Sequence, residues 1–258
     1  MNIVVCVKHV PDTEAQVRIR ADGLGIDESG LNFVLNFYDE HGVEEALRIK
    51  ERRGGTVTLL AAGPPRAAEG LRAGLAMGAD AAVHIQDEAL AGLDHLGTAR
   101  VLAAAIKMLP YDLVLCGKLA TDDNAAVVGP AIAEFLDLAQ ATSVTKLELG
   151  EGTATAHREV EGAVEVLEVK LPAVITVERG INEPRYPSLP GIMRAKRTPV
   201  TVRALGELGL PAGALTPHVE LLGLTPPPKR QAGRRLEGEP AAVVRELVRA
   251  LRDEAKVL

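Results

Sequence analysis

A chain of 258 residues with 47% hydrophobic and 25% charged residues has the balance of a folded globular protein, not of a disordered or fibrous one. Its 35 acidic against 29 basic residues leave a net charge of −6, and three Phe and three Tyr are its whole aromatic complement. Together these argue against a nucleic-acid partner, whether held by its phosphate backbone or by stacked bases. The longest apolar runs, residues 2–7 and 99–106, fall short of the roughly 18 to 20 residues that cross a bilayer, so no membrane insertion is expected. The opening Met1-Asn2-Ile3-Val4-Val5-Cys6-Val7 has neither the basic stretch nor the small-residue cleavage site of an export signal, and a cytoplasmic location is expected. Cys6 and Cys116 lie in separate apolar runs without CxxC spacing and read as buried thiols.

In chain order, β-branched runs at residues 3–7, 56–61, 82–85 and 112–116 alternate with alanine-rich helical patterns, the signature of βαβ units around a buried parallel sheet. The first helix carries Val43, Ala46, Leu47 and Lys50 at helical spacing, Glu44 four residues before Arg48, and Gly54-Gly55 as its stop. Further helices fit residues 66–77 and 97–109, and a fourth runs through Val128, Ile132, Phe135 and Leu136, with Pro130 placing its start near Gly129. Residues 144–149, 153–160 and 164–169, separated by Gly150-Glu151-Gly152 and Glu161-Gly162, predict an antiparallel meander. Residues 171–177 then read as one more buried strand of the main sheet, with Pro172 near its start.

From Gly180 onward, Pro184, Pro187, Pro190, Pro199, Pro211, Pro217 and Pro226-Pro227-Pro228 predict an extended arm. Leu189, Ile192, Met193, Leu221, Leu222 and Leu224 make it too apolar for a free linker, so it is expected to lie on another surface. Pro240 opens a final helix with Val243, Val244, Leu247, Val248 and Leu251 on one face. The expected fold class is α/β: an open, mainly parallel sheet sandwiched by helices, with a small antiparallel meander at about residues 143–170 and an extended C-terminal arm. Residues 1–200 are expected to form the α/β domain and residues 201–258 the arm and terminal helix.

The six histidines show no HxxxH or Cys/His spacing, so no metal site is expected, and GxSxG, GxxxxGK[ST] and GxGxxG are all absent. No catalytic residue is assigned, and the chain reads as a non-enzyme. What remains is three loops after predicted strands: Val7-Lys8-His9-Val10-Pro11-Asp12, Ala62-Gly63-Pro64-Pro65, and Gly117-Lys118-Leu119-Ala120-Thr121-Asp122-Asp123-Asn124. They lie at carboxyl ends of parallel strands, where open α/β sheets bind ligands. A helix beginning beyond Asp123 would aim the amides of residues 125–128 at a phosphate. On spacing alone, Gly63 and Gly117 read equally well as chain turns and Asp122 and Asp123 as helix caps.

Several segments resemble one family in a single register over about residues 1–200. They are Val4-Val5-Cys6-Val7-Lys8-His9-Val10; Asn36 with Val43-Glu44-Glu45-Ala46; Ala73-Gly74-Leu75-Ala76-Met77-Gly78-Ala79-Asp80; Asp112-Leu113-Val114-Leu115-Cys116-Gly117-Lys118 with Asp122-Asp123; Leu171-Pro172-Ala173-Val174; and Asn182-Glu183-Pro184-Arg185-Tyr186 with Leu189-Pro190 and Ile192-Met193-Arg194-Ala195-Lys196. Taken together they closely resemble the beta subunit of electron-transfer flavoprotein. The resemblance implies an adenine-nucleotide alpha-hydrolase-like, Rossmann-like domain in a heterodimer whose alpha subunit carries the redox FAD, with one AMP buried in this chain as a structural ligand. It implies electrons that arrive from acyl-CoA or related dehydrogenases, as in fatty acid oxidation, and leave to a membrane quinone oxidoreductase. It implies nucleotide contacts at Cys6, Asn36, Ala62, Gly117, Ala120, Asp123, Asn124, Ala125, Ala126, Val127 and Val128. It implies a partner-recognition loop at residues 182–196, with Asn182, Pro184, Arg185, Tyr186, Ile192 and Met193 around the anchoring Leu189, and Glu159 paired with the mobile flavin domain of alpha. The Asn124-Ala125-Ala126-Val127-Val128-Gly129-Pro130 run is also similar to electron-bifurcating members, whose beta subunit binds a second FAD in place of AMP. A nucleotide-hydrolysing or adenylating enzyme of the same superfamily is a further alternative, disfavoured because no SGGxDS-type loop occurs.

Overall fold

A computed structural model describes residues 1–228 and 232–258. The first strand, β1 (Asn2–Cys6), is buried from Ile3 onward. β2 (His9–Pro11) and β3 (Phe33–Leu35) form a separate antiparallel ribbon, each too short to give a periodic signal in the sequence. The ribbon leads into α1 (Phe37–Arg53), with Asp39 and Glu40 in its first turn and Lys50, Arg52 and Arg53 in its last, charges that complement the helix dipole. β4 (Thr56–Ala62), α2 (Ala67–Met77), β5 (Ala81–Ile85), α3 (His95–Ile106) and β6 (Leu113–Gly117) then alternate as the sequence pattern predicts. α4 (Val128–Leu136) carries Pro130 in its first turn, where a missing N–H breaks no intrahelical bond.

β7 (Ala139–Leu149), β8 (Thr153–Val160), β9 (Ala163–Lys170), β10 (Ala173–Val177), α5 (Leu189–Arg197), β11 (Val200–Arg203) and α6 (Pro240–Arg249) complete the chain. One nine-stranded sheet runs in the order β11-β5-β4-β1-β6-β10-β7-β8-β9. It is parallel from β11 to β7 and antiparallel from β7 to β9. The meander is thus the edge of the main sheet. β7 joins the two parts, because Ala139, Gln140 and Ala141 pair with β10 while Lys146, Leu147, Glu148 and Leu149 pair with β8. Its first residues have no β-branched signature, which is why only the second half reads as a strand.

Alternation along the central strands sorts the core into two layers. Ile3, Val5, Leu59, Leu113, Leu115 and Ile175 pack with residues of α1, α2 and α5. Val4, Cys6, Leu60, Val114, Cys116 and Val174 pack with residues of α3 and α4.

The segment after Gly180 departs from the extended arm expected of it. α5 forms because Ser188 caps it by accepting from the Gly191 amide at 3.1 Å, and because Pro190 sits in the first turn. It packs on α2 so closely that a Cβ on Gly191 would stand 2.4 Å from the Ala76 carbonyl oxygen. β11 then pairs in parallel with β5, so a domain boundary at residue 200 falls on the first residue of a strand of the main sheet. Of the prolines that suggested an arm, Pro190 stands in a helix first turn and Pro199 just before a strand, where proline disrupts nothing.

Beyond β11 the arm character returns. Leu208 is buried against the α3 face. Arg100 donates to the Ala214 carbonyl at 2.6 Å, the His218 amide donates to Asp94 at 2.6 Å, and the Leu224 amide donates to the Gly23 carbonyl at 2.8 Å. α6 buries none of its residues, leaving Val244, Leu247 and Val248 exposed. Among the described residues, no helix is long and apolar enough to cross a membrane.

Candidate functional site

β1 has β4 on one side and β6 on the other, so connections leave it in both directions and a crevice opens at its carboxyl end. A cavity of about 310 Å³ lies there. Cys6, Asn36, Ala62, Gly117, Ala120, Asp123, Ala125, Ala126, Val127 and Val128 all line it, whereas Asn124 is not among its lining residues. Leu90, Leu93 and Leu102 give it an apolar side.

The first turn of α1 organises the mouth. Asp39 is buried, and its Oδ2 accepts from the Lys8 amide at 2.7 Å while its Oδ1 accepts from the Gly117 amide at 3.1 Å. One carboxylate therefore ties the chain just beyond β1 to the last residue of β6. The approach requires glycine, since a Cβ on Gly117 would stand 2.4 Å from Asp39 Oδ1 and 2.7 Å from Tyr38 Cβ. Asn36 fixes the next stretch, donating from Nδ2 to the Leu119 carbonyl at 2.8 Å and accepting at Oδ1 from the Thr121 amide at 3.1 Å. Burial pushes the Asp39 carboxyl up to about 7, against the pull of the Lys8 amide, Asn36 and the Gly117 amide. Sequence reasoning missed Asp39, because an acid in a first turn looks like an ordinary partner of the helix dipole.

Lys8 closes the mouth from the other side. Its Nζ lies 2.8 Å from Asp122 and 2.9 Å from Asp123, and His95 Nε2 lies 3.4 Å from Asp123. Burial works against the Lys8 charge, but the two aspartates outweigh it and hold its pKa above the usual ammonium value. The adjacent carboxylates are thus turned onto Lys8 rather than onto an incoming anion. Past them, Asn124 and Ala126 take left-handed backbone conformations with φ of 52° and 55°, and Val127 returns to the right-handed region. Each non-glycine residue held in the left-handed region costs of order 1 kcal/mol, and the turn is closed from within, the Asn124 amide donating to the Ala120 carbonyl at 2.8 Å and the Ala125 amide to Asp123 Oδ1 at 3.0 Å. The first turn of α4 follows with its free N–H groups and positive dipole end. α4 sits low on the sheet because residue 129 is glycine: a Cβ there would stand 2.5 Å from Thr176 Cγ2. The cavity therefore has one end at the first turn of α4 and an apolar end beside Cys6, Ala62 and Leu93.

The residues assigned to partner recognition separate into two sets. Asn182 is buried, donating to the His41 carbonyl at 3.0 Å and to Glu45 at 3.2 Å, with its Oδ1 3.0 Å from His41 Nδ1. Arg185 pairs with the buried Glu44 at 2.8 Å and with Glu51 at 2.5 Å. These two fasten the loop to α1, Asn182 from inside the chain and Arg185 half-buried at its surface. Pro184 is half-buried between them. Tyr186 and Leu189 are 96% and 73% exposed, and Leu189, Ile192 and Met193 share one open face of α5 at helical spacing. Glu159 stands exposed near the end of β8, opposite Val164 of β9.

The raised Asp39 carboxyl makes stability depend on pH with a definite sign. The unfolded chain releases this proton near pH 4 and the folded chain near 7, so the folded state holds more protons in between and stability falls as pH rises through that window, then levels off. Urea unfolding of the full chain is expected to lose up to about 1.4 kcal/mol per pH unit from this group, and Asp39→Asn to flatten the decline. An equal slope in the two proteins contradicts the assignment.

An electron transfer flavoprotein domain family model matches residues 23–208, which hold every strand of the main sheet but β1 and the cavity loops that follow β4 and β6. Over 260 residues, covering 100% of both chains, the sequence is 42% identical to the electron transfer flavoprotein subunit beta of Bacillus subtilis (strain 168). It is 40% identical over 247 residues to the protein of that name in Mycobacterium tuberculosis (strain ATCC 25618 / H37Rv), covering 92% of this chain and 93% of the relative. It is 38% identical over 258 residues to that of Syntrophomonas wolfei, covering 100% of this chain and 98% of the relative. The chain belongs to the electron transfer flavoprotein family, among its beta subunits.

Proposed function

We propose that this chain is the beta half of a cytoplasmic heterodimeric electron carrier, that it holds AMP as a structural ligand at the carboxyl ends of β1, β4 and β6, and that the open face of α5 docks acyl-CoA-type or related dehydrogenases. Electrons then pass through FAD on the alpha subunit towards a quinone oxidoreductase. The observation that carries the nucleotide reading is the polarity of the cavity: the first turn of α4 borders one end, the neighbouring carboxylates are already paired with Lys8, and the other end is apolar. A phosphate suits the first end and an adenine ring the second. The bound nucleotide would join the exits of three strands to the first turn of α4. This chain then holds, orients and docks, and no bond-making step is assigned to it.

The volume favours the smaller ligand. A cavity of about 310 Å³ lies at the low end of ligand sites, roughly 300 to 1,000 Å³, and suits a mononucleotide, whereas FAD would have to leave its flavin half outside. FAD in place of AMP is the second reading. It draws on a neighbouring cavity of about 230 Å³, lined by Phe33 and Arg66, which shares Lys8, Ala62 and Pro64 with the first. Denaturing the chain purified with its alpha partner and identifying the released nucleotides separates the two: one AMP per chain is expected, and a second FAD with no AMP overturns the reading.

For docking, Leu189, Ile192 and Met193 supply a central apolar contact, and Glu159 supplies a carboxylate to the flavin-carrying domain of alpha. Loss of the most exposed of these apolar side chains, in Leu189→Ala, is expected to slow electron uptake from the dehydrogenase roughly tenfold through KM. Because that side chain is 73% exposed, the unfolding free energy should move by less than about 0.5 kcal/mol. Unchanged uptake kinetics contradict the docking face.

A further inference from the structure

Leu90, Leu93 and Asp94, in the connection between β5 and α3, form one wall of the 310 Å³ cavity. Within itself this connection, residues 86–94, is held by short turns: the Leu90 amide donates to the Asp87 carbonyl at 3.2 Å and the Leu93 amide to the Leu90 carbonyl at 3.3 Å. An aspartate stands near each end of it, and the two are used alike. Asp87 accepts the Ala89 amide on Oδ1 at 3.0 Å and the Leu205 amide on Oδ2 at 3.2 Å. Asp94 accepts the Gly97 amide on Oδ1 at 2.7 Å, which caps α3, and the His218 amide on Oδ2 at 2.6 Å. Each carboxylate thus gives one oxygen to its own turn and the other to the segment that follows β11.

Residues 204–218 therefore form a strap fastened to both ends of the connection, and to α3 through Arg100, which donates to the Ala214 carbonyl at 2.6 Å. Leu208 is buried, and Leu205, Leu210 and Leu215 are partly buried, in the same apolar layer as Leu90 and Leu93. None of the strap residues lines the cavity, so the strap acts on a ligand only through the wall it holds.

We propose that Asp87 and Asp94 are positioning residues that fasten the leucine wall of the cavity to this strap, so that the seating of residues 204–218 governs how tightly the cavity keeps its ligand. The identity of that ligand rests on the nucleotide reading above. A wall made of turns has few bonds of its own to resist opening, and such segments open locally ahead of the core. The strap adds two hydrogen bonds to carboxylates and the burial of Leu208. The Gly97 and His218 amides hold the Asp94 carboxyl below its usual range, in keeping with bonds made to the ionised form. Linkage makes the effect mutual: a ligand that is held better when the strap is seated must itself hold the strap.

The test follows release of labelled AMP into an excess of unlabelled AMP from the chain purified with its alpha partner, with amide hydrogen exchange on the same samples. Arg100→Ala and Leu215→Ala loosen the strap at residues outside the cavity lining, and each is expected to speed release roughly tenfold. Phe135→Leu removes the ring that the Arg100 guanidinium faces at 5.1 Å and leaves the strap in place, so its release is expected within about twofold of the parent. In the parent, the His218 amide is expected to exchange at least about fivefold more slowly with AMP bound than after its removal, an effect that a strap with a merely structural role would not show. Unchanged release in either strap variant, equal acceleration in Phe135→Leu, or a His218 amide indifferent to AMP overturns the proposal. A parent that carries no AMP overturns the nucleotide reading instead. The fastening is then decided by the Leu90 and Leu93 amides, whose faster exchange in Leu215→Ala supports it and whose equal exchange overturns it. Should Arg100→Ala fail to fold by far-ultraviolet circular dichroism, Leu215→Ala carries the comparison alone.

Discussion

Two backbone amides, one just past β1 and one at the end of β6, share a single buried carboxylate, and most of the local architecture follows from that sharing. Burying the Asp39 carboxylate costs desolvation that only hydrogen bonds to it can offset. The Lys8 and Gly117 donors are main-chain amides, so the compensation they give fixes backbone. The first turn of α1 is thereby pinned to two strands at once, and Asn36, three residues earlier, holds the loop that follows β6. Gly117 is the steric condition for the approach. With the loop held there, Asp122 and Asp123 come within reach of Lys8, and the backbone beyond them turns through left-handed residues at Asn124 and Ala126 into α4.

The same helix organises the opposite surface. Past its first turn, α1 presents His41, Glu44 and Glu45 to the segment that precedes α5. Glu44 is buried yet charged: desolvation opposes it, but Arg185 and Arg48 hold its carboxyl below the usual range. A buried pair of this kind is costly to break from one side, which gives the loop before α5 a defined path and leaves Tyr186 and Leu189 outward. α1 is thus the element common to the cavity and to the loop that leads into the open face of α5.

How much of this is legible in the sequence depends on the range of the interaction. The central strands announce themselves as apolar β-branched runs because they are buried on both faces, and the small-residue loops after them mark the crevice. α5 and β11 hide because their prolines sit where helices and strands tolerate them, so proline density overstated the arm. Family resemblance gathers Asn182, Arg185 and Leu189 under one role. Their different fates follow from contacts with α1 some 141 residues away, which no local pattern encodes. Asp39 is the clearest case of the same limit: its spacing is that of any first-turn acid, and only the fold shows what its oxygens hold.

Amide hydrogen exchange on the full chain and on Asp39→Ala tests the shared carboxylate most directly. The account predicts that the Lys8 and Gly117 amides, protected in the parent, exchange at least about 100-fold faster in the variant together with Thr121, while amides in the middle of β1 and β6 keep their protection. Equal protection of Lys8 and Gly117 in the two proteins would contradict it.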